Sequence, residues 1–553
     1  MVTSPSVPDT KKTDGLPPLI RALLTDPVCY DHPVGKVELV ETHISWVLLT
    51  GNYAYKIKKP VDLGFLDFST LARRQQDCVD ELRLNRRLAA EYYLDVVAIT
   101  GTPEAPRMDG AGEILECAVK MRQFPADATL DRLAERGELN EMQIDALAAR
   151  LAHFHLAECE AAPADSAWGE PDVIARPVAE NFQIIRLAEP AEKARLAALQ
   201  AWCGNEHSRL APLMTERKHA GRVRECHGDL HLANLAWVAG NLVIFDCLEF
   251  SPALRWIDVI SEIAFCYMDL LHREYAALAQ RFINAWLEAV GDYQGVALLR
   301  YYAVYRALVR AKVAALRAMQ GCLASRTEVM ECLRLAEQLA FSTPHAPFSR
   351  NNLGCNPLVV RGMPLRHPTS PSDETLRGQG QTNRCANLML TITHGLSGSG
   401  KTTLTQTLLE KHGMIRLRSD VERKRLAGLD ACARGGETLG LYSESFGLRT
   451  YQHLAEVAEG LLQAGWPVIV DAAFLMRRER DLFRDLARRL GVNFQILQIQ
   501  VDPDILRERV RSRQAKGNDA SDADLRVLEH QLATALPLDS DEIAVAINAT
   551  PAD

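Results

Sequence analysis

A glycine-rich run near residue 400 has the residue types and spacing that hold a nucleoside triphosphate. It follows an apolar stretch, Leu388–Thr393, and reads Gly395, Leu396, Ser397, Gly398, Ser399, Gly400, Lys401, Thr402, Thr403. The glycines let successive backbone N–H groups turn toward a phosphate, and the helix expected after them adds a favourable field. Lys401 would reach the terminal phosphates and Thr402 would hold Mg²⁺. The sequence therefore predicts a P-loop that binds a magnesium nucleoside triphosphate.

Two carboxylates and an arginine follow later strands of the same predicted sheet. Asp420 comes after the strand Met414–Arg418, and Asp471 ends the strand Val468–Val470. Because parallel strands end at one edge of a sheet, we expect both carboxylates beside the P-loop. Asp420 would accept a proton from an attacking hydroxyl and Asp471 would order the magnesium shell. A helix N-cap is the alternative role for each. Arg423, one turn after Asp420, would hold an anionic group.

Two arginines lie four residues apart in a basic stretch further along the chain. Arg509 and Arg513 fall within Leu506–Arg513, which follows the strand Phe494–Val501 and has a helical pattern. At this spacing both side chains can face one ligand. They would neutralise the charge that spreads over a transferred phosphoryl group. A solvated basic helix face is the alternative.

A second group of polar residues lies well upstream. Asp229 and Asn234 stand in the loop sequence His227-Gly-Asp-Leu-His-Leu-Ala-Asn, and Asp246 follows a short hydrophobic strand. A carboxylate, an amide five residues later and a second carboxylate suit a loop that orients a hydroxyl and holds magnesium on a triphosphate. Asp229 would be the base, and Asn234 and Asp246 the metal ligands.

The P-loop half resembles the small-molecule and polynucleotide kinase branch of P-loop proteins over about Leu388–Glu529. That resemblance implies that Asp420 is the catalytic base and that Arg423 clamps the substrate. It also implies that Arg509 and Arg513 form a lid. The arginine-finger and sensor segments of a motor ATPase have no counterpart in the sequence.

The upstream half resembles the aminoglycoside-phosphotransferase-like branch of the protein kinase fold, whose catalytic loop reads H-G-D-x-x-x-x-N. The resemblance spans about Val37–Ala340. It implies that Lys56 binds the phosphates, with Lys58 on the same strand face as the alternative, and that Glu81 is the ion-pair partner. Asp258 would buttress the catalytic loop. The turn at Thr42–Ser45, which would cover the nucleotide, contains no glycine.

Together the halves resemble bacterial fusion proteins of the two families, often labelled AAA family ATPase. The fold class expected is α/β and α+β, with a bilobal protein-kinase-like domain before a P-loop domain whose parallel sheet is flanked by helices. The predicted divisions are a flexible N-terminus at 1–18, a kinase domain at 19–340, a linker at 341–386 and a P-loop kinase domain at 387–553. The linker is rich in proline and polar residues.

Composition limits the classes of function. The chain has 553 residues and a net charge of -8, so it has no overall basic footprint for nucleic acid or anionic membrane. It has neither an apolar signal core nor a long uncharged apolar run, and its 13 cysteines lack zinc-type spacing. We therefore expect a cytoplasmic protein without a membrane partner.

These observations predict an enzyme with two phosphotransfer sites, each using ATP and Mg²⁺ and a small polar metabolite as the phosphate acceptor. One alternative is that one half is an ATP-binding regulator of the other. Another is that the P-loop half phosphorylates a nucleic-acid end, which the net negative charge disfavours but does not exclude. The sequence does not indicate the oligomeric state or the identity of either acceptor.

Overall fold

A computed structural model describes residues 15–62, 64, 66–322, 324–341, 388–431, 441, 443–516 and 523–549. These residues form two compact units. The first unit is drawn from Met1–Asp269 and Leu298–Ala336, and the second from Leu270–Ala297 and Glu337–Asp553. The linker predicted at 341–386 and most of the N-terminal segment predicted at 1–18 lie outside the described residues.

The first unit contains a six-stranded antiparallel sheet with the order β1-β2-β3-β6-β4-β5. Its strands are β1 Glu38–Glu41, β2 Ser45–Leu49, β3 Tyr53–Lys58, β4 Tyr93–Thr102, β5 Ala105–Met108 and β6 Ile114–Arg122. The turn between β2 and β3 contains Gly51 at φ +95°, a conformation that favours glycine. The sequence reading missed β4 and β5 as strands.

Alternation along β3 separates its two faces. Tyr55 and Ile57 are buried in an apolar cluster with Leu48 of β2, whereas Lys56 and Lys58 project from the opposite face. Helix α2, Leu71–Ala89, meets that second face through its buried carboxylates. The helix begins at Thr70, whose hydroxyl accepts a hydrogen bond from the backbone N–H of Arg73, as an N-cap does.

Helices and short hairpins make up the rest of the N-terminal sequence. The helices before and after α2 are α1 Pro18–Thr25, α3 Leu130–Glu135, α4 Glu141–His153, α5 Pro171–Ala188, α6 Lys193–His219, α7 Pro252–Arg255, α8 Val259–His272, α9 Ala276–Val290, α10 Val296–Met319 and α11 Ala324–Phe341. The short strands are β7 Val223–Glu225, β8 Leu235–Val238, β9 Asn241–Ile244 and β10 Trp256–Asp258, paired as β7 with β10 and β8 with β9. A short turn at Pro190–Glu192 separates α5 from α6.

The second unit has a five-stranded parallel sheet with the order β12-β13-β11-β14-β15. Its strands are β11 Met389–His394, β12 Ile415–Arg418, β13 Val468–Asp471, β14 Asn493–Gln498 and β15 Ala546–Asn548. The helices that follow β11 are α12 Lys401–His412, α13 Ser419–Leu426, α14 Glu444–Gln463, α15 Arg477–Leu490, α16 Pro503–Lys516, α17 Leu525–Thr534 and α18 Ser540–Ile543. Strand and helix alternate, which is why a parallel sheet forms.

Helix α9 also packs in the second unit. It lies in the sequence within the predicted kinase domain 19–340, but it contacts β12 and α12 of the parallel sheet unit. Its buried Asn284 bonds to the backbone of the edge strand β12. The periodic pattern of α9 predicts a helix but does not indicate which neighbour the helix covers.

None of the helices among the described residues has both the length and the apolar composition that crossing a membrane requires. Ten cysteines in the described part of the chain are free thiols, and all of them except Cys322 are buried.

Candidate functional site

The P-loop joins the buried strand β11 to helix α12 at the edge where the parallel strands end. Gly398 and Gly400 have φ of +83° and +86°, so these two positions need glycine. The ammonium of Lys401 donates to the carbonyl oxygens of Gly395 and Leu396 at 3.0 and 2.8 Å. It therefore lies folded against the loop, within reach of a phosphate held there.

Thr402 and Asp471 meet beside this loop. The Thr402 hydroxyl donates to Asp471 Oδ2 at 2.8 Å, and Asp471 is the last residue of β13. Asp471 is therefore not a helix N-cap, the alternative that its sequence position allowed. A hydroxyl and a carboxylate oxygen side by side are hard ligands of the kind that Mg²⁺ prefers, so the residues present fit the ion.

A cavity of about 260 Å³ opens over the P-loop, and Lys401, Thr402 and Asp471 line it. The predicted P-loop residues Gly395, Leu396 and Ser399 are not among its lining residues. Asp420 and Arg423 both line it, and Arg423 Nη1 lies 2.8 Å from Asp420 Oδ1. Asp420 sits in the first turn of α13, whose N-cap is Arg418, so it is not a cap either. Arg418 and Tyr451 also line the cavity, and the sequence reading missed both.

The predicted arginine helix is α16, and Arg509 and Arg513 both line the cavity. Arg513 Nη2 also donates to the carbonyl of Ala523 at 2.8 Å. Arg511, which lies between them in sequence, is exposed to solvent. The helix therefore directs Arg509 and Arg513 toward the cavity and Arg511 away from it. The remaining P-loop positions Ser397, Ser399 and Thr403 lie in the loop and the first turn of α12, as the motif predicts.

The cavity is suited to an anion. Burial lowers the pKa of Lys401, while Asp471 and Asp420 raise it and Arg513 lowers it further. A bound polyphosphate would supply the negative charge that this buried ammonium needs. Five cationic residues and two carboxylates line this one cavity, the cationic residues being Lys401, Arg418, Arg423, Arg509 and Arg513.

In the first unit, both predicted lysines of β3 reach Glu81 of helix α2. Lys56 Nζ lies 2.8 Å from Glu81 Oε1 and 2.6 Å from Asp246 Oδ1. Lys58 is fully buried and contacts the carboxylates of Asp77, Glu81 and Glu249. Since three carboxylates surround Lys58 and no part of it is exposed, Lys56 is the lysine that a phosphate can reach.

Asp229 and Asn234 meet in the predicted catalytic loop. Asn234 Nδ2 donates to the backbone carbonyl and to Oδ2 of Asp229, at 2.9 and 3.2 Å. His231 Nε2 lies 3.4 Å from the same carboxylate, which is 37% exposed. Burial alone would raise the pKa of Asp229, but His231, His227 and Arg310 hold it well below its ordinary value. Asp229 is therefore ionised at neutral pH, as a proton acceptor must be.

Asp246 follows β9 in a left-handed conformation, with φ +62°. Its backbone N–H donates to the Tyr93 hydroxyl at 3.0 Å, which fixes this strained turn. Burial would raise the pKa of Asp246, but Lys56 lowers it below its usual range. The carboxylate is 45% exposed and can accept a cation beside Lys56. The oxygens of Asp246 and of the Asn234 amide are a donor set that fits Mg²⁺.

Buried acids and bases hold the catalytic loop in place. Glu262 accepts from the backbone N–H groups of His227 and Gly228 at 2.8 and 3.0 Å. Asp258, predicted as a buttress, accepts from Arg217 at 2.7 and 2.8 Å. The sequence reading missed Glu262 and His231. His231 was visible inside the loop motif, whereas nothing in the sequence linked Glu262 to the loop 35 residues earlier.

Two family matches cover these sites. Residues 65–299 match the phosphotransferase enzyme family and residues 390–538 match an AAA domain family. The chain is 28% identical over 505 residues to an uncharacterized protein of Mycobacterium tuberculosis strain H37Rv, covering 90% of this chain and 91% of the relative.

Solved structures also match parts of the chain. A choline/ethanolamine kinase family protein from Mesorhizobium loti is 10% identical with a TM-score of 0.35, covering 60% of this chain and 92% of its own. A gluconokinase from Sinorhizobium meliloti 1021 is 18% identical with a TM-score of 0.22, and the match covers 30% of this chain and 84% of the gluconokinase chain.

The family matches and the two units confirm the expected fold class, a kinase-like domain before a P-loop domain with a parallel sheet. They also confirm that the chain is an enzyme of the kinase type, for which ATP is the usual donor. The chain is therefore an enzyme of the kinase type that combines a region matching the phosphotransferase enzyme family, at residues 65–299, with a region matching an AAA domain family, at residues 390–538.

Proposed function

We propose that the protein carries two separate phosphotransfer sites and that each moves the γ-phosphoryl group of MgATP to a hydroxyl of a small polar metabolite such as a sugar. The observation that carries the proposal is that in each unit the candidate base, the candidate metal-binding carboxylate and the candidate phosphate-binding lysine contact other predicted site residues or line one cavity with them. Asp420, Asp471 and Lys401 line one cavity of the second unit. In the first unit, Lys56 contacts Asp246, and Asp229 contacts Asn234.

In the second unit, the P-loop backbone and Lys401 hold the phosphates, and Asp420 takes the proton of the acceptor hydroxyl. The hydroxyl oxygen forms a bond to the γ-phosphorus while the bond from that phosphorus to the β–γ bridging oxygen breaks, and ADP leaves. Arg509 and Arg513 stabilise the charge on the transferred group, and Arg423 holds the acceptor. Mg²⁺ at Thr402 and Asp471 would neutralise charge on the phosphate oxygens.

In the first unit, Lys56 holds the phosphates, and its ion pair with Glu81 fixes the direction of the ammonium. Asp229 accepts the hydroxyl proton, and the hydrogen bonds from Asn234 keep its carboxylate oriented. Asn234 and Asp246 would hold Mg²⁺. Lys58 has a structural role because three carboxylates enclose it.

Label transfer tests the proposal. The full chain is incubated with γ-labelled ATP and a fractionated bacterial metabolite pool, alongside Asp229→Ala and Lys401→Ala. We expect each substitution to remove transfer to one set of acceptors and to spare the other. If neither substitution lowers transfer, the two-site proposal fails. If one substitution removes all transfer, one half regulates the other or is inactive.

A further inference from the structure

Helix α9, Ala276–Val290, presents a line of polar side chains to the P-loop elements of the second unit. Arg281, Asn284 and Glu288 are spaced by three and four residues, so they lie on one face of the helix. Arg281 Nη1 lies 2.8 Å from Oε1 of Glu410, on the helix that begins in the P-loop. In sequence α9 belongs to the phosphotransferase family match, and it lies outside the AAA domain match.

Asn284 fixes α9 against the edge of the parallel sheet. Its side-chain amide donates to the carbonyl of Met414 at 3.0 Å and accepts from the backbone N–H of Arg416 at 2.7 Å. The amide thus completes the hydrogen bonding of β12 on the side where a further strand would pair. Asn284 is only 3% exposed, so losing it would leave these backbone groups buried without partners.

Glu288 lies one helical turn beyond Asn284 and joins two arginines of β12. Its Oε2 is 3.0 Å from Arg416 Nη2, and its Oε1 is 2.6 Å from Arg418 Nη1. Burial would raise the pKa of Glu288, but Arg418 and Arg416 lower it below its ordinary value. The two guanidinium groups are therefore held by an ionised carboxylate with little exposure to solvent.

Both arginines contact the residues proposed to hold Mg²⁺. Arg416 Nη1 donates to the backbone carbonyl of Thr402 at 3.3 Å. Arg418 lines the nucleotide cavity, and its Nε lies 3.9 Å from Asp471 Oδ2. Since Thr402 and Asp471 mark the metal end of the cavity, Arg418 lies near the position of the terminal phosphate.

We propose that Glu288 is a positioning residue of the P-loop site, which holds Arg418 toward the terminal phosphate of the bound nucleotide. This inference rests on the proposed function of that site. It places a determinant of P-loop chemistry more than a hundred residues before the AAA domain match, on a helix that the sequence assigns to the other family.

The test uses the full chain with Lys56→Met, so that the first site does not bind nucleotide. Glu288→Gln and Glu288→Asp are compared with Glu459→Gln, which breaks a surface pair between Glu459 and Arg489 in the same unit. The dissociation constants of MgADP and of magnesium β,γ-imido-ATP are measured by calorimetry. We expect Glu288→Gln to lower the preference for the triphosphate about 10-fold while MgADP binding stays within about 2-fold, because a charge-assisted hydrogen bond from Arg418 to the terminal phosphate would be lost. Glu288→Asp should recover part of the preference, and Glu459→Gln should keep all of it.

Two outcomes would overturn the role of Glu288. One is a triphosphate preference in Glu288→Gln equal to that in Glu459→Gln. The other is an equal loss of both nucleotides, which indicates a structural role only. If Glu288→Gln does not fold, Arg418→Gln replaces it, and an unchanged preference in that variant contradicts the proposal. If the background variant with Glu288 intact binds nucleotide but transfers no phosphoryl group, the proposed function of this site is wrong. The preference for the triphosphate over MgADP still tests the role of Glu288 in that case.

Discussion

The hydroxyl of Thr402 and the carboxylate of Asp471 lie 2.8 Å apart, although 69 residues separate them in sequence. Thr402 belongs to the first turn after the P-loop, and Asp471 ends the neighbouring strand β13. Parallel strands bring their ends to one edge, so a loop after one strand and a carboxylate after the next come together. This pair is the proposed magnesium site of the second unit.

Replacing Asp471 should weaken the magnesium dependence of that unit. We expect Asp471→Asn to raise the Mg²⁺ concentration needed for half-maximal ATP turnover about 10- to 100-fold, as loss of a metal-site carboxylate does. The measurement is a Mg²⁺ titration of ATP turnover in the Asp229→Ala background. Asp485→Asn is the control, because Asp485 is exposed, pairs with the exposed Arg488 and does not line the cavity. An unchanged Mg²⁺ midpoint in Asp471→Asn would exclude this site.

The catalytic loop of the first unit should show a pH dependence set by His231. His231 is the leading interaction that lowers the pKa of Asp229 against the effect of burial. Removing it should raise the pKa of Asp229, so kcat/KM should begin to fall at a higher pH as the solution is acidified. The pH profile of label transfer in the Lys401→Ala background compares His231→Asn with His153→Asn, whose side chain is 65% exposed. Identical acid limbs in the two variants would contradict the assignment of Asp229 as the base.

Substitution of the two lysines of β3 should have different consequences. Lys56→Met should abolish transfer by the first unit with little loss of stability, because Lys56 is the lysine that a phosphate can reach. Lys58→Met should lower the thermal midpoint of unfolding, since it leaves the buried carboxylates of Asp77 and Glu249 beside Glu81 without the cation that they share. Activity assays and thermal unfolding of both variants check this. If the two variants have equal thermal midpoints and only Lys58→Met loses transfer, then Lys58 and not Lys56 is the phosphate-binding lysine.

Gly398 should not tolerate a side chain. A Cβ there would lie 3.2 Å from both the carbonyl oxygen of Leu506 and a methyl group of Val510, at a backbone φ of +83°. A non-glycine residue in this conformation costs about 1–3 kcal/mol, so Gly398→Ala should distort the loop and weaken nucleotide binding. Gly447→Ala is the control, because a Cβ there meets no neighbour within 4 Å. Calorimetry that finds equal nucleotide affinities would show that the loop adapts.

The residues of the two loop motifs could be predicted because each motif is contiguous. The spacing of the motif residues can be counted directly in the P-loop run Gly395–Thr402 and in the segment from His227 to Asn234. The ends of the predicted strands then indicated Asp246 and Asp471. The structure places Thr402 beside Asp471, Asn234 beside Asp229 and Asp246 beside Lys56. Their individual roles stay predictions until the variants are measured.

The contacts between distant segments could not be predicted. Glu262 and Glu288 lie on helices whose hydrophobic periodicity indicates that one face is buried. The periodicity does not indicate which element packs against that face. Strand β4 was missed because its pattern follows helix α2 without a clear turn signal, and tertiary pairing with β6 decides its structure. The choice between Lys56 and Lys58 also required the structure, because both lie on one face of the strand. The two lysines differ in the number of surrounding carboxylates and in their exposure to solvent.

The central claim is that one chain holds two ATP sites, and the number of nucleotides bound per chain tests it most directly. Calorimetric titration with magnesium β,γ-imido-ATP should find two sites in the wild type and one in Lys401→Ala. A chain that combines Lys401→Ala with Lys56→Met should bind none. A wild type that binds a single nucleotide, or a combined variant that still binds two, would contradict the account.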